Sequence, residues 1–350
     1  MMANYHIRKY SQPDLALLRK DWQLLEKGKD MSFFQTYDWY ESINDVVPNK
    51  GEVVFIEVLD AEKAVLIAPL WLLRHTYLFI NKRGCTFLGR NGYSDYLNFV
   101  YIDFDEMALL TLFSFIREEY GITQYYLEFL QEKTDIVAYI DNHIPLVQKD
   151  SFSYASLYLP KNIESYSSNL SKHTRQNLRT AHNRMIKDGL SFECTIIEKC
   201  DNILVRQKCD EIKMQRLPFK RKRESGQWSY KTKIHIYVDK KLRIKFPYKS
   251  VLDSDKNGNI LLITCGDDVA AFFYYGYEVQ NNRIVVMTAG TNTKYARYSP
   301  GFYFMYQQIR NWIDSETVKI VDFTRGGEKY KYDLGCENVP VCNLSFELKK

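Results

Sequence analysis

Residues 283–331 read RIVVMTAGTNTKYARYSPGFYFMYQQIRNWIDSETVKIVDFTRGGEKYK and contain the clearest succession of elements in the chain. The apolar run at 284–287 is typical of a strand. Ser299-Pro300-Gly301 then predicts a helix start, because a Ser side chain can accept hydrogen bonds from the first N–H groups and Pro fits the first helical position. Apolar residues recur at three- and four-residue steps up to Asp314, so this helix has one buried face. A second strand is predicted at 318–323.

Two features of this stretch predict an anion-binding site. Thr324-Arg325-Gly326-Gly327 breaks the second strand where its C-terminal end should lie, and open α/β sheets bind ligands at such ends. The helix that begins near Pro300 offers unpaired N–H groups and the positive end of its dipole. The alternative is that Ser-Pro-Gly only caps a packing helix, which is a common arrangement. The spacing of the residues leaves both interpretations open.

The composition indicates a soluble globular protein. Its 350 residues suffice for two domains, and shares of 45% hydrophobic and 26% charged residues are ordinary. The net charge of +5 favours anionic partners without requiring nucleic acid. The seven Cys residues show no paired spacing, so we predict neither a disulfide framework nor a zinc site. This pattern fits a reducing cytoplasm.

The sequence shows no segment that we would assign to secretion or to a membrane span. Residues 1–14 lack the apolar core of a signal peptide. The most apolar run, at 64–73, has about half of the ~20 residues that a spanning helix needs. We therefore predict a cytoplasmic protein whose contact with a membrane is at most peripheral.

One order of elements, namely two strands, a third strand, a loop, a helix and a fourth strand, is predicted twice. In the first copy these elements lie at 53–59, 65–72, 96–102, 106–120 and 125–130, and in the second at 259–265, 269–277, 284–289, 300–314 and 318–323. We predict a structural duplication of α/β type, with one domain at 1–150 and another at 151–350. No long flexible linker separates the two halves, so we expect them to pack on each other.

The most basic segment of the chain, 171–187, is predicted to be an amphipathic helix. One face carries Lys172, Arg175, Arg179 and His182, while Leu170, Thr174, Leu178, Ala181 and Met185 fall on the other. No acidic residue stands four positions away to neutralise the cations, so this face requires either solvent or an anionic ligand. A helix at 203–217, a basic loop at 218–223 and a helix at 229–246 are predicted to follow.

Common catalytic motifs are missing from the sequence. It has no phosphate-binding P-loop, no dinucleotide fingerprint, no G-x-S-x-G elbow and no H-E-x-x-H pair, and its six His residues are isolated. We predict no metal site. A polar cluster that follows the strand at 318–323 instead suits group transfer from a phosphate-bearing donor, since fixed cations can stabilise an oxyanion. Its members are Asp322, Arg325, Glu328, Lys329, Tyr330 and Lys331.

Several motifs occur in an order that resembles one acyltransferase family. They are Ser32-Phe33-Phe34-Gln35-x-x-x-Trp39, Ala68-Pro69-Leu70, Ser171-Lys172-x-x-Arg175-x-x-Leu178-Arg179, Tyr295-x-x-Tyr298-Ser299-Pro300-Gly301 and Asp322-Phe323-x-Arg325-Gly326-x-Glu328-x-Tyr330-Lys331. Together they resemble the GNAT-type acyltransferases of exopolysaccharide and cellulose biosynthesis, relatives of the Fem-type aminoacyl transferases. The resemblance spans about residues 30 to 335 and says little about the substrate.

The resemblance implies two tandem GNAT-like domains, each a mixed, mainly antiparallel sheet flanked by helices. It also implies direct attack of an amine or hydroxyl on a thioester or ester carbonyl, without a metal or a covalent intermediate. Acyl-CoA or an acyl-carrier protein would be the co-substrate, and no tightly bound cofactor is expected. The first domain lacks the Arg-Gly-x-Glu-x-Tyr-Lys segment and is expected to be non-catalytic.

The resemblance also suggests roles for individual residues. Lys331 matches a Lys that lies near the reacting carbonyl in Fem-type relatives, so we assign it the oxyanion role, with Asp322 as a candidate base and Arg325 as a third catalytic residue. Replacing Lys331 by Ala is expected to abolish most turnover with little effect on the melting temperature. We assign donor or substrate binding to Lys172, Arg175, Arg179, Tyr275, Tyr295, Ser299, Gly301, Glu328 and Tyr330.

Two departures from the family pattern keep alternatives open. Many relatives have an acidic residue where this chain has Thr291-Asn292, and the glycine-rich basic loop for a diphosphate is reduced to 296–301. Our main prediction is transfer of an acyl group to a sugar, amino-sugar or lipid precursor of the cell envelope. One alternative uses aminoacyl-tRNA, with the basic helix and residues 220–223 meeting RNA. The other is a non-catalytic partner protein that keeps the GNAT fold.

Overall fold

The computed structural model describes residues 4–43, 52–77, 80–89, 94–224 and 258–348. The strands are β1 (Tyr5–Ser11), β2 (Glu52–Asp60), β3 (Lys63–Tyr77), β4 (Ile80–Phe87), β5 (Gln124–Gln131), β6 (Leu146–Tyr158), β7 (Phe192–Ile197), β8 (Asn259–Cys265), β9 (Asp268–Glu278), β10 (Arg283–Thr291), β11 (Ile320–Arg325) and β12 (Glu337–Glu347). The helices are α1 (Arg19–Leu25), α2 (Tyr37–Ile43), α3 (Glu106–Tyr120), α4 (Asp135–His143), α5 (Ile163–Asn169), α6 (Lys172–Lys187), α7 (Ile203–Glu224), α8 (Pro300–Ser315) and α9 (Lys329–Asp333).

The chain divides into two compact units. The first contains residues 1–156, 324–327 and 337–350, and the second contains residues 157–323 and 328–336. The sequence had suggested a single boundary near residue 150. The difference lies in the C-terminal strand β12, which is grouped with the first unit because it pairs there along most of its length.

The first unit contains strands in the order β1-β2-β3-β4-β5-β12-β6. All neighbouring pairs are antiparallel except β4 and β5, which are parallel. The crossover between these two parallel strands contains α3. This helix begins at Asp105, whose carboxylate accepts hydrogen bonds from the first-turn N–H groups, and it ends at Gly121 in the left-handed conformation.

The second unit contains strands in the order β7-β8-β9-β10-β11. Its pairs are antiparallel except for β10 and β11, which are parallel and are connected through α8. The buried face of α8 includes Met305, Ile309 and Ile313, three of the apolar residues whose spacing predicted it. Helix α8 packs against β9 and also contacts α6.

The predicted duplication of element order is confirmed. In the first unit β2, β3, β4, α3 and β5 follow one another, and in the second β8, β9, β10, α8 and β11 do so with the same sequence of antiparallel and parallel pairs. Each unit therefore has a mixed, mainly antiparallel sheet accompanied by helices.

Two local predictions are wrong, and a third concerns residues that the structure does not describe. Residues 96–102 do not form a strand: they make one isolated bridge, between Val100 and Ile67, and Tyr96 has a left-handed backbone that interrupts an extended run. The third strand of the first copy is β4 instead. The predicted basic loop at 218–223 belongs to α7, which continues to Glu224. The helix predicted at 229–246 lies outside the described residues.

Candidate active site

The start of α8 in the second unit differs from its predicted form. Ser299 adopts the left-handed conformation, with φ 49°, and its side chain does not cap the helix. Its own N–H donates to the carbonyl of Ala296 at 3.1 Å, and its carbonyl accepts from the N–H of Tyr303 at 3.1 Å. The prediction that the Ser299 hydroxyl accepts from the first turn is therefore wrong, whereas Pro300 does occupy the first turn. Without that cap, the positive end of the helix dipole is available to a ligand.

Gly301 allows α8 to approach the sheet closely. A Cβ atom at this position would lie 3.2 Å from the Thr291 hydroxyl and 3.4 Å from the Ala271 methyl group. A larger residue would crowd these neighbours on β9 and β10, which would have to shift slightly to make room. The glycine thus lets the start of α8 lie close to β9 and β10, and its assignment to donor or substrate binding remains a prediction.

Helix α6 is tied to the turn that precedes α8. Arg184 donates to the carbonyl of Arg297 at 3.0 Å. Just after α6, the Asp188 carboxylate accepts from the Tyr298 hydroxyl at 2.6 Å and forms an ion pair with Arg297. The C-terminal end of α6 and the N-terminal end of α8 are consequently held together by side chains that the basic-helix pattern alone did not single out.

A cavity of about 390 Å³ lies where α6, the start of α8 and α9 meet. The residues that line it from α6 are mostly polar, and those from α8 and α9 include both polar and aromatic side chains. The lining residues are Asn177, Thr180, Ala181, Arg184, Ser299, Phe302, Tyr330 and Asp333. All of them belong to the second unit.

The cavity combines charges of both signs. Arg184 and the N-terminal end of α8 are positive and favour an anion such as a phosphate. Asp333 is the acidic member, and both of its carboxylate oxygens accept from Lys329, at 2.5 and 2.7 Å. Because Lys329 offsets the charge of Asp333, the positive groups dominate the cavity.

The three cations that we predicted on α6 have different surroundings. Arg175 is half-buried and donates to the carbonyl of Leu170 at 2.7 Å and to those of Ser167 and Ser168, both at 3.2 Å. Arg175 therefore satisfies the free carbonyl groups at the C-terminal end of α5. Lys172 and Arg179 are exposed and do not line the cavity. Their assignment to donor binding remains a prediction.

Two of the predicted catalytic residues are buried in the second unit. The Asp322 carboxylate forms an ion pair with Arg283 at 2.8 Å, and that guanidinium also lies 4.0 Å from Glu278. Lys331 donates to the carbonyl of Phe323 at 3.0 Å. Its ammonium lies 2.9 Å from a Glu328 carboxylate oxygen.

The thiol of Cys336 shares the environment of Asp322 and Lys331. Burial, together with the negative charge of Asp322, raises its pKa to about 12, and the positive charge of Lys331 opposes this rise. At neutral pH this thiol is therefore protonated and not nucleophilic. Neither Asp322 nor Lys331 lines the cavity, although Tyr330, the neighbour of Lys331, does.

Arg325, the third predicted catalytic residue, belongs to the first unit. Its guanidinium pairs with Asp95 at 2.7 Å and donates to the carbonyl of Ser94 at 2.9 Å. It also lies over the ring of Phe129, 4.5 Å from the centroid. Asp95 accepts a further hydrogen bond from the Tyr154 hydroxyl at 2.6 Å. Arg325 thus orders residues 94–95 within its own unit.

The Ser-Phe-Phe-Gln-x-x-x-Trp motif has a structural role in the same unit. The Trp39 indole N–H donates to the Ser94 hydroxyl at 2.8 Å. The Gln35 side chain donates to the carbonyl of Tyr96 and accepts from the N–H of Ser32 at 2.8 Å. These bonds hold the irregular segment at 94–96, and this role could not be read from the spacing of the motif.

Two predicted binding tyrosines are buried away from the cavity lining. Tyr275 packs edge-on against Trp312 with ring centroids 6.2 Å apart, and burial raises the pKa of its hydroxyl. The Tyr295 hydroxyl donates to Asp268 at 2.7 Å, and this hydrogen bond raises its pKa. Their roles in binding remain predictions.

The cavity brings together only two of the predicted site residues, Ser299 and Tyr330. The residues that sequence reasoning missed are Asn177, Thr180, Ala181, Arg184, Phe302 and Asp333. A signal existed for α6: Asn177, Thr180 and Arg184 are spaced by three and four residues and so lie along one stripe beside its apolar face. The sequence could not show that this stripe faces α8 and α9, because that depends on how the helices pack.

Two further observations concern metals and membranes. Within the described ranges, no group of three or more His, Cys, Asp or Glu side chains could hold a metal ion. None of the helices in these ranges has the length and apolarity that a membrane span requires.

A known family covers part of the chain. Residues 248–332 match the family model described as "Acetyltransferase (GNAT) domain". Apart from 248–257, which lie outside the described residues, this match covers β8 to α9 and so includes the start of α8. No curated protein sequence matches the chain.

Solved structures with the same fold cover almost the whole chain. One is the C-terminal domain of a putative lysylphosphatidylglycerol synthetase from Agrobacterium fabrum, with 10% identity, TM-score 0.51, and coverage of 97% of this chain and 93% of that one. Another is FemX, with 10% identity, TM-score 0.50, and coverage of 98% and 97%. A third is a tandem GNAT protein of the clavulanic acid pathway, with 7% identity, TM-score 0.50, and coverage of 99% of both chains.

The fold is therefore a GNAT fold with tandem units, as the resemblance implied. The family match over residues 248–332 indicates an acyltransferase enzyme. At these low identities, the structural neighbours support the fold and do not define a donor or an acceptor.

Proposed function

We propose that the protein transfers an acyl group from an acyl thioester to an amine or hydroxyl of a sugar or lipid precursor of the cell envelope, in the cytoplasm. The observation that carries the proposal is the cavity at the start of α8, where Arg184 and the positive end of the helix converge. A thioester of coenzyme A carries a diphosphate, which is the chemistry that such a site binds.

The donor would lie with its phosphates between α6 and α8. Asn177 and Thr180 supply neutral donors beside Arg184, and Phe302 supplies an apolar wall. The volume of about 390 Å³ is in the range of small-molecule sites. A carrier protein that presents a phosphopantetheine thioester offers the same reactive group with fewer phosphates.

The reaction itself needs no cofactor. The acceptor nitrogen or oxygen attacks the thioester carbonyl carbon, the carbonyl oxygen becomes negative, and collapse of this intermediate breaks the C–S bond. The proton lost by the acceptor passes to a base, and a proton returns to the leaving thiolate, so the products are an amide or ester and a free thiol. The enzyme contributes orientation, a proton acceptor and an oxyanion donor.

Lys331 and Asp322 remain our proposed oxyanion donor and base. Each would first have to give up a contact that it makes in this structure. Lys331 would have to exchange its contact with Glu328 for the substrate oxygen. Asp322 would have to leave its ion pair with Arg283. Arg325 would likewise have to release Asp95 before it could contact a substrate. Glu328 is half-buried and lies next to Lys331, so it is a second candidate for the proton acceptor.

A second candidate function is aminoacyl transfer from a tRNA. FemX and the lysylphosphatidylglycerol synthetase domain share the fold. Helix α6 also exposes Lys172 and Arg179, cations that RNA could contact. For residues 1–150, which carry no Arg-Gly-x-Glu-x-Tyr-Lys segment after β5, we propose a non-catalytic role.

Thermal unfolding with candidate ligands tests the proposal. Purified protein would be heated with coenzyme A, acetyl-CoA, a long-chain acyl-CoA and bulk tRNA, each at two salt concentrations. Stabilisation by a coenzyme A species is expected, because a ligand that binds only the folded state raises the melting temperature. A response to tRNA alone, falling steeply with salt, would replace thioester transfer by aminoacyl transfer.

A further inference from the structure

We infer that the outer face of α6, defined here as Lys172, Gln176, Arg179, Asn183, Ile186 and Lys187, is a docking surface for an acidic acyl-carrier protein. This inference rests on the proposed function and specifies which class of donor it uses. It concerns a surface that the cavity does not include.

The charge of this helix is of one sign. Helix α6 contains five Lys and Arg residues in sixteen positions and no Asp or Glu. Arg175 is engaged with the end of α5 and Arg184 with the turn before α8. Lys172, Arg179 and Lys187 remain, and all three are exposed. In the part of the chain that the structure describes, none of these three forms an ion pair.

The three cations are aligned. At 100° per residue, Lys172, Arg179 and Lys187 fall within about 80° of the helix circumference, opposite the buried stripe of Thr174 and Met185. With a rise of 1.5 Å per residue, they extend over about 22 Å along the helix axis. A row of this length exceeds what the diphosphate of one small donor can contact, so it suits a macromolecular polyanion.

The outer face also borders the cavity. Thr180 and Arg184, which line the cavity, lie on the adjacent stripe of the same helix. A carrier docked along the row would therefore hold the base of its thioester arm beside the cavity entrance. The arm could enter the cavity while the carrier stays on the surface.

An acidic protein fits this face better than RNA does. Ile186 is 64% exposed and lies within the face, next to Lys187. An apolar contact surrounded by charges is typical of protein–protein interfaces. Recognition of single-stranded RNA usually adds aromatic residues for stacking, and the outer face has none. Complementary charges would mainly raise the association rate, which suits a carrier that must dissociate after each transfer.

Charge reversal tests this surface. The test variant carries Lys172→Glu, Arg179→Glu and Lys187→Glu. The matched control carries Lys20→Glu, Lys27→Glu and Lys133→Glu, three exposed sites of the first unit with the same change in net charge. Binding of an acetyl-loaded acyl-carrier protein, of acetyl-CoA and of bulk tRNA would be measured by calorimetry at low and moderate salt.

We expect wild type and control to bind the loaded carrier equally, and the test variant to bind it at least tenfold more weakly. All three proteins should unfold at the same temperature, and the test variant should lose at least tenfold more affinity for the loaded carrier than for acetyl-CoA. Unchanged carrier binding by the test variant would overturn the inference, as would a loss restricted to tRNA. If wild type binds acetyl-CoA but not the carrier, only this inference fails. If wild type binds neither thioester, the proposed function fails with it.

Discussion

The ammonium of Lys331 lies 2.9 Å from the Glu328 carboxylate and donates to the carbonyl of Phe323 at 3.0 Å. The lysine side chain is 4% exposed, whereas that of Glu328 is 34% exposed. A buried cation is thus fixed between a strand carbonyl and a carboxylate that solvent can reach. The sequence alone suggested that Lys331 contacts the substrate. The structure adds that Lys331 also holds the end of β11 through the Phe323 carbonyl.

Replacing Lys331 by Ala should therefore affect both turnover and stability. The Phe323 carbonyl would lose its partner in a buried site, at a cost of about 1–3 kcal/mol in the free energy of unfolding. This revises the expectation that the melting temperature stays unchanged. Urea unfolding and thiol release from an acyl-CoA donor would measure the two effects. Lys161→Ala, an exposed lysine of the same unit, is the control for both measurements. Retained turnover in Lys331→Ala would exclude the oxyanion role.

The ion pair between Asp322 and Arg283 should stabilise the folded state, whether or not Asp322 also acts in catalysis. Asp322→Asn leaves a buried guanidinium without its closest anion, and we expect it to lower the free energy of unfolding by about 3–5 kcal/mol. The double variant Arg283→Met, Asp322→Leu should be more stable than the single one, because the guanidinium and its closest anion are removed together while Glu278 keeps its hydrogen bond from Asn281 at 2.6 Å. Equal unfolding curves for the wild type and Asp322→Asn would show that the pair contributes little.

Arg184→Ala should weaken binding of a phosphate-bearing donor by about tenfold or more, since hydrogen bonds to charged groups are worth about 1.5–3 kcal/mol. Calorimetric titration with acetyl-CoA would measure the change. Lys161→Ala, an exposed residue of the same unit outside the cavity lining, serves as the control. If both variants bind equally well, the donor phosphates do not occupy the cavity at the start of α8.

A buried carboxyl group should make the stability of the protein depend on pH. Glu57 is fully buried, and burial raises its pKa; the hydrogen bond from the Tyr10 hydroxyl opposes this rise, and the negative charge of Asp21 adds to it. Because the folded state holds this proton more tightly than the unfolded chain, stability falls as the pH rises from the unfolded pKa through the folded pKa.

The isosteric change Glu57→Gln should remove this penalty. The variant should be more stable than the wild type at pH 7 to 8, and the difference should shrink as the pH approaches the ordinary range of a Glu carboxyl, about 4.3. Urea titrations across pH 4 to 8 would reveal it. A variant that is less stable at every pH would mean that ionised Glu57 stabilises the fold.

The last strand should be required for the first unit to fold. Val341, Leu344 and Phe346 of β12 are at most 1% exposed, and the strand pairs with both β5 and β6. Burial of each such side chain contributes about 1.5–3 kcal/mol. Deleting residues 337–350 should abolish hydrogen-exchange protection in β5 and β6, whereas deleting only 349–350 should not. Protection that survives the larger deletion would refute this dependence.

The sequence by itself determined most elements and their order. Apolar periodicity located α3 and α8 to within about a residue, because such periodicity depends only on which side chains must be buried. The duplicated order followed from the same patterns. Segments held by specific side-chain bonds, such as 94–96, could not be predicted, since their conformation depends on Trp39 and Gln35 from a distant part of the chain.

Only the tertiary structure decided which polar residues meet. Arg325 and Lys331 are six positions apart, yet one pairs with Asp95 in the first unit and the other with Glu328 in the second. The sequence offers Lys, Arg and Asp side chains without saying which of them neutralise one another. Burial requires each charge to find a partner, and these pairings depend on contacts between residues far apart in the chain. Only when these charge pairs are known is it clear which charged side chains, such as Arg184, are left to line a cavity.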